Sequence, residues 1–303
     1  MVIDNPFIQT LTLDLMAQAL ELKLARRQDR FSLCSILNAK SGKCSEDCAF
    51  CTQSAHFITD SSEYPLVDVK TAVAAAVEAK DNGASRFSLV TSGRGPVAHE
   101  VMAYGELIAA IKAKVDIGIC GSFGIAAEEA LVLWQDAGMT RYHHNLESSR
   151  AFFPSVCATH SFEDRIATVK AARKVGLSVC SGGIIGLGEN EADRVSMAQS
   201  LAELDVDSVP LNILIGLPGT PLGDLPPLRK DEILRAIAIF RIILPDVPLR
   251  LAAGRESALG EFLSTAFMAG ADGMMIGGYL TQRGRTPEQD LAFVAEMQDI
   301  WTR

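Results

Sequence analysis

Segment 43–57 reads KCSEDCAFCTQSAHF and sets Cys44, Cys48 and Cys51 in a C-x3-C-x2-C spacing. Three thiolates on so short a stretch face one small centre. A cubane 4Fe–4S cluster has four corner irons and is held by cysteine thiolates. Three from one loop cap three corners and leave the fourth iron open. An open iron chelates a small molecule through an amine and a carboxylate, the pair that S-adenosylmethionine offers. An electron passed through the cluster then breaks the sulfonium's carbon–sulfur bond. A zinc site with His56 as fourth ligand is the competing reading, but closed zinc sites pair two short ligand knuckles and this segment has one. The polar neighbours Ser45, Glu46 and Asp47 argue against a chance cluster of buried thiols.

The other cysteines are Cys34, Cys120, Cys157 and Cys180, seven in all. An odd count, in a chain whose first residues lack the basic start and apolar run of a secretory signal, makes a poor disulfide framework and points to thiolate or metal chemistry. The 28 basic and 37 acidic residues leave a net charge of −9, which argues against nucleic acid or an anionic membrane as partner. Hydrophobic residues make up 48% of the chain and charged residues 21%, enough apolar surface for a large core. Arg241 and Asp246 interrupt the most apolar region, so no stretch reads as a membrane span. The expectation is a cytoplasmic enzyme folded as a single domain over 1–303.

These cysteines need elements to position them. Residues 11–27 read as an amphipathic helix with Leu11, Leu15, Ala19 and Leu22 on one face. The helical extension is placed at 1–30 and the cluster-binding loop at 40–57. Strand-like runs follow at 31–37, 86–90, 116–121, 141–144, 178–184, 208–214, 248–251 and 273–276. Helical stretches between them include 67–82, 126–137, 162–175, 192–204, 230–243 and 256–269. Gly83, Gly138, Gly176 and Gly270 fall at helix ends just before the next strand, where a left-handed residue stops a helix. Eight such alternations predict an α/β fold, a (β/α)8 TIM-type barrel, with a doubly wound open sheet as the structural alternative. Ser88, Cys120, His143, Asn145, Cys180, Asn212 and Arg255 then fall at or near the carboxyl ends of strands, the edge where such proteins build their sites.

The flanks of the triplet, CSEDCAFCTQSAH, resemble the biotin synthase family within the radical S-adenosylmethionine superfamily. HHNLESS (143–149), FEDRIATVKAARKVGLSVCSGGIIGLGE (162–189), VPLNILIGLPGTPL (209–222) and RLAAGRES (250–257) carry the resemblance on, from about residue 8 to residue 295. It implies sulfur insertion between two unactivated carbons of dethiobiotin, with two adenosyl radicals each abstracting one hydrogen and the sulfur coming from an auxiliary iron–sulfur cluster. It further implies that Cys44, Cys48 and Cys51 hold the 4Fe–4S cluster, and that Phe50 lies against the adenine. Asn145 and Glu147 would contact the ribose, and Arg165 the methionyl carboxylate. Asn212 would hydrogen-bond the ureido ring, with Thr281 near the substrate carboxylate. A flavodoxin or ferredoxin donor and a homodimer are implied as well. The glycine-rich 181–189 lacks a phosphate-binding lysine and reads as close backbone approach to a ligand.

The chain departs from the family at the auxiliary cluster, a 2Fe–2S held by three cysteines and one arginine. Cys120, Cys180 and Arg255 match three of those positions, and the fourth falls on Ser88, a poor iron ligand beside a thiolate. Cys157 offers a replacement, giving Cys120, Cys157 and Cys180 with Arg255 around a 2Fe–2S or a cluster of different nuclearity. Cys34 reads as core. His143 stands where an asparagine is usual near the substrate, and Gln282 where a second threonine is common. These departures leave open an alternative, a radical enzyme of similar barrel and different substrate, of the maturase or mutase type.

Overall fold

The computed structural model describes residues 5–277 and 285–302. The chain runs through α1 (Thr12–Arg27), β1 (Ser32–Lys40), α2 (Val69–Asp81), β2 (Arg86–Thr91), α3 (Ala98–Lys114), β3 (Gly118–Ser122), α4 (Glu128–Asp136), β4 (Arg141–His143) and α5 (Phe162–Lys174). It continues with β5 (Ser178–Cys180), β6 (Gly183–Ile185), α6 (Glu191–Glu203), β7 (Val209–Ile213), α7 (Lys230–Ile243), β8 (Leu249–Leu251), α8 (Arg255–Leu259), α9 (Leu263–Met268), β9 (Gly273–Met275) and α10 (Pro287–Thr302). Local chemistry sets the boundaries. Gly83, Gly138, Gly176 and Gly270 all take positive φ after a helix, as their spacing predicts. Ser161 caps α5, and Asn190 caps α6.

Every paired strand is parallel, in the order β5-β4-β3-β2-β1-β9-β8-β7-β6. The two outermost members are successive pieces of one segment, parted at Ser181 and Gly182. Each piece also bridges to the far side, Cys180 to Ser208 and Gly183 to Glu147. Backbone hydrogen bonds stitch both seams, Ser181 N to Ser208 O at 3.0 Å and Ile184 N to Glu147 O at 2.9 Å. The ring therefore closes on a broken fifth strand, and the expected parallel barrel with outer helices is what forms.

Two local expectations are corrected. The helix read over 256–269 is interrupted: α8 gives way to a 3-10 turn at Gly260–Phe262 before α9, because Gly260 adopts φ +54. The buried stripe of α1 is Leu15, Ala19, Lys23 and Arg27, while Leu11 is exposed at the N-cap and Leu22 only half-buried. Leu15 and Ala19 pack on Ala238 and Ile239 of α7. The two basic residues go to a charged cluster at the foot of the barrel rather than to solvent.

Candidate active site

Inside the barrel, alternate residues of each strand face one cavity of about 390 Å3. The inward set is Cys34 and Ile36 on β1, Arg86, Ser88 and Val90 on β2, Cys120 and Ser122 on β3, Arg141 and His143 on β4, Cys180 on β5, Asn212 on β7 and Arg250 on β8. The residues between them, such as Phe87, Leu89, Ile119, Tyr142 and Val179, are buried among the outer helices. This is the period of two that a closed barrel imposes. Phe50, Cys51, Thr52 and Gln53 from the loop after β1, with Asn145 and Glu147 after β4, line the rim at the carboxyl ends of the strands.

The cysteine loop is closed at its base. Cys44 N donates to Gln53 O at 2.9 Å, and Ala55 N to Cys44 O at 2.8 Å. Cys48 is buried, Cys44 and Cys51 half-buried. Burial pushes the Cys51 thiol up to about 11. Hydrogen bonding with Cys157, together with burial, holds Cys48 protonated far above the usual thiol range. A metal bound by these thiols would displace their protons. Two carboxylates clasp the loop to segment 157–160. Asp47 Oδ1 accepts from Ala158 N at 2.9 Å, Thr159 N at 3.1 Å and Thr159 Oγ1 at 3.0 Å. Glu46 Oε2 takes Thr159 Oγ1 at 2.9 Å and His160 Nδ1 at 2.6 Å. His56, the zinc ligand of the competing reading, is exposed with Nε2 3.0 Å from the Ser45 carbonyl oxygen.

Beside the loop, Phe50 packs on the apolar cluster of Val156, Ile184 and Leu187. Glu147 has φ +67, an uncommon backbone for a residue with a Cβ, and it carries the Gly183 bridge that closes the barrel. Asn145 Nδ2 donates to Glu147 Oε2 at 3.2 Å, and Gly182 N donates to Asn145 Oδ1 at 3.1 Å. Arg165 is buried behind them. Its Nη1 donates to the Asn145 carbonyl at 2.9 Å and lies 3.6 Å from Glu147 Oε1, and its Nε donates to His160 Nε2 at 3.0 Å. Asn212 donates to Gly183 O and accepts from Ala253 N, both at 3.1 Å, which leaves one N–H and one lone pair free to meet a ligand. Thr281 and Gln282 lie outside the described residues.

The floor of the cavity gathers a different set of residues from the auxiliary ligands expected from sequence. Cys120 and Cys180 are there, and Ser88 with them. Cys157 is not: it packs against Cys48, with its sulfur 3.1 Å from Asp47 Oδ1 and 3.2 Å from His160 Nδ1. The thiol that joins Cys120 and Cys180 on the floor is Cys34, read from sequence as core. Arg255 is not there either. It is buried outside the cavity, donating to Asp290 Oδ2 at 2.8 Å and to the Met275 carbonyl at 3.1 Å. Arg250 takes the floor position, with Nε 3.0 Å from Ser32 Oγ, a hydrogen bond to Ser208 Oγ, and Nη1 4.0 Å from the Cys180 sulfur. Strand alternation is the signal that finds it, since Leu249 and Leu251 point outward and Arg250 cannot.

Three guanidinium groups, Arg86, Arg141 and Arg250, thus converge on the floor. Arg86 Nη1 lies 3.6 Å from the Cys120 sulfur, and Arg141 Nε donates to Ser178 Oγ at 2.9 Å. Arg141 Nη1 is buried with no hydrogen-bond partner among the described residues. Burial raises Cys34 to about 11 and Cys120 above its ordinary range. Burial also works against ionised Cys180, but His143, Arg250 and Arg141 outweigh it and lower that thiol to about 6. The same contact raises His143 despite its own burial. A floor with this much positive charge and an unused donor suits an anionic group.

Residues 39–201 match the family model of the Radical SAM superfamily, and residues 210–298 that of the Biotin and Thiamin Synthesis associated domain. Over 94% of its length the chain is 47% identical to biotin synthase of Pelotomaculum thermopropionicum, covering 89% of that protein. It is 45% identical to biotin synthase of Thermotoga neapolitana, over 90% of this chain and 98% of that one. The chain belongs to the biotin synthase family. It is accordingly a radical S-adenosylmethionine enzyme of the sulfurtransferase class. Methylornithine synthase superposes with a TM-score of 0.81 at 17% identity, over 94% of this chain and 88% of that one. The FeFe-hydrogenase maturase of Carboxydothermus hydrogenoformans gives 0.80 at 18% identity, over 94% and 70%. These two share the barrel fold with the biotin synthase family, and the maturase or mutase alternative has that likeness alone. No helix among the described residues is long and apolar enough to cross a membrane.

Proposed function

We propose that the chain inserts sulfur into dethiobiotin to form biotin, with S-adenosylmethionine held between the cysteine loop and Asn145, Glu147 and Arg165. One observation carries this reading: a single cavity with the cysteine loop at its rim and Cys34, Cys120 and Cys180 among three arginines at its floor. When bound, the 4Fe–4S cluster and S-adenosylmethionine supply one-electron cleavage of the sulfonium and so a carbon radical able to abstract hydrogen, and the auxiliary cluster supplies sulfur.

The residues present fit these groups. A single tetrahedral ion with metal–sulfur bonds of about 2.3 Å holds its ligand atoms roughly 3.8 Å apart. Among the described residues the group of three metal-binding atoms that lie mutually within 4.8 Å is Cys48, Cys157 and His160. The triplet Cys44, Cys48 and Cys51 and the floor set Cys34, Cys120 and Cys180 are spread wider than one ion allows, as a centre of more than one iron requires. The auxiliary cluster is assigned to Cys34, Cys120 and Cys180 with Arg250, and its negative charge answers the three guanidinium groups and the free Arg141 donor.

Phe50 offers an apolar face to the adenine. Glu147 accepts from ribose hydroxyls, and Arg165 turns its remaining N–H groups to the methionyl carboxylate. Asn212 presents one donor and one acceptor to a ureido ring, and His143 stands over the floor within reach of the same ligand. The buried interior excludes water from a reacting carbon radical. A flavodoxin or ferredoxin supplies the electron, and the enzyme works as a cytoplasmic homodimer. The test is an anaerobic assay of reconstituted protein with S-adenosylmethionine, dithionite and dethiobiotin, following 5′-deoxyadenosine and biotin together. Both products are expected. 5′-Deoxyadenosine without biotin would overturn the substrate assignment while sparing the radical one.

A further inference from the structure

Cys48, Cys157 and His160 have the spacing of a single-ion site, yet their hydrogen bonds assign the imidazole a different task. Arg165 Nε lies 3.0 Å from His160 Nε2, and a guanidinium can only donate. Nε2 therefore carries the lone pair and Nδ1 the proton. That proton is directed at Glu46 Oε2, 2.6 Å away, so Nδ1 has no lone pair to give a metal. Glu46, His160 and Arg165 are all buried.

The three side chains form one line of contacts. Glu46 sits midway between Cys44 and Cys48, at the centre of the cysteine loop. His160 donates through Nδ1 to that carboxylate and accepts from Arg165 Nε at Nε2. Arg165 then reaches the Asn145 carbonyl at 2.9 Å and Glu147 at 3.6 Å. A free arginine side chain has many rotamers and offers a carboxylate either its side or its end. With Nε committed to His160, only the end of the fork is left for a ligand.

Resting on the assignment of Arg165 to the methionyl carboxylate, we propose that His160 is a positioning residue for S-adenosylmethionine. It couples the closed form of the cysteine loop to the aim of the Arg165 guanidinium. The loop that holds the cluster and the arginine that holds the cosubstrate are then set by one imidazole.

The experiment compares wild type, His160→Ala, His160→Gln, Arg165→Ala and the His160→Ala/Arg165→Ala double variant, each reconstituted anaerobically. S-adenosylmethionine affinity is measured by equilibrium dialysis, and iron and acid-labile sulfide are counted on the same samples. His160→Ala is expected to weaken binding tenfold or more with the 4Fe–4S content of the loop unchanged. His160→Gln, whose Oε1 restores an acceptor for Arg165 Nε, is expected to recover most of that loss. In the double variant the His160→Ala change is expected to add nothing to Arg165→Ala, the mark of residues acting as one unit. Unchanged affinity in His160→Ala, additive losses, or a loss of loop iron that accounts for the weakened binding would each overturn the proposal. If Arg165→Ala itself leaves affinity unchanged, the carboxylate assignment fails first and takes the proposal with it.

Discussion

Two arginines five residues apart show how much depends on a single side chain's direction. Arg250 leaves β8 into the cavity, while Arg255 leaves α8 toward α10 and pairs with Asp290. Replacing Arg250 by Met is expected to lower auxiliary iron and sulfide while sparing the cluster of the cysteine loop, as read by Mössbauer spectra and iron counts. Replacing Arg255 by Met leaves buried Asp290 with Arg285 alone, 3.7 Å away, and is expected to cost up to about 3 kcal/mol of stability without a selective loss of auxiliary iron. The cysteines divide the same way. Cys34→Ala is expected to empty the auxiliary site, and Cys157→Ala to leave its iron in place. Auxiliary iron that followed Cys157 and ignored Cys34 would return the ligand set to the one read from sequence.

Among the elements, the break between β5 and β6 does the most to shape the cavity. Ser181 and Gly182 let one strand pair with β4 below and β7 above, and so close the ring. A Cβ on Gly182 would meet the Pro210 carbonyl oxygen at 1.9 Å, a backbone atom fixed in β7. Gly182→Ala is therefore expected to cost about 3 kcal/mol or more in urea denaturation. Gly260 is the control. It holds φ +54 and ψ −123, backbone angles outside the wells open to a residue with a Cβ, but nothing lies within 4 Å of an added Cβ, so Gly260→Ala is expected to cost backbone strain alone, on the order of 1–2 kcal/mol. Equal losses in the two variants would show that closure of the ring contributes nothing special. Most elements were legible because their signals are local. The runs of apolar residues between glycine stops place all eight strand segments within a few residues of those observed. The interrupted helix at 255–268 was not legible, since Gly260 inside an otherwise helical pattern does not announce which sign its φ will take.

The whole barrel is braced at the end opposite the site by Asp272, which meets Arg27 of α1 at 2.5 Å, Arg241 of α7 at 3.2 Å and Leu249 N at 2.7 Å. Asp272→Asn leaves two buried guanidinium groups short of their counter-charge and is expected to cost about 3–5 kcal/mol in thermal or urea unfolding. Lys23 lies in the same cluster, fully buried over the Trp301 ring and without a hydrogen-bond partner among the described residues. Burial lowers it to about 7. Between pH 7 and the ordinary lysine range the unfolded chain holds a proton that the folded chain lacks, so this group makes stability rise with pH, by up to about 1.4 kcal/mol per unit. Lys23→Met is expected to be the more stable protein at pH 7, with its advantage shrinking toward pH 9. An advantage independent of pH would show that Lys23 keeps its proton. Apolar runs and glycine stops determined by themselves the parallel α/β order, and the C-x3-C-x2-C spacing the cysteine loop and its radical chemistry, because periodicity and ligand spacing are properties of short segments. A closed ring rather than an open sheet came only with the tertiary structure. The floor of the cavity was decided only by tertiary structure. In a strand buried on both faces either set of alternate residues can point inward, and it takes the closed ring to bring Cys34 of β1 and Arg250 of β8 to one floor while the loop residue Cys157 and the helix residue Arg255 stay outside it.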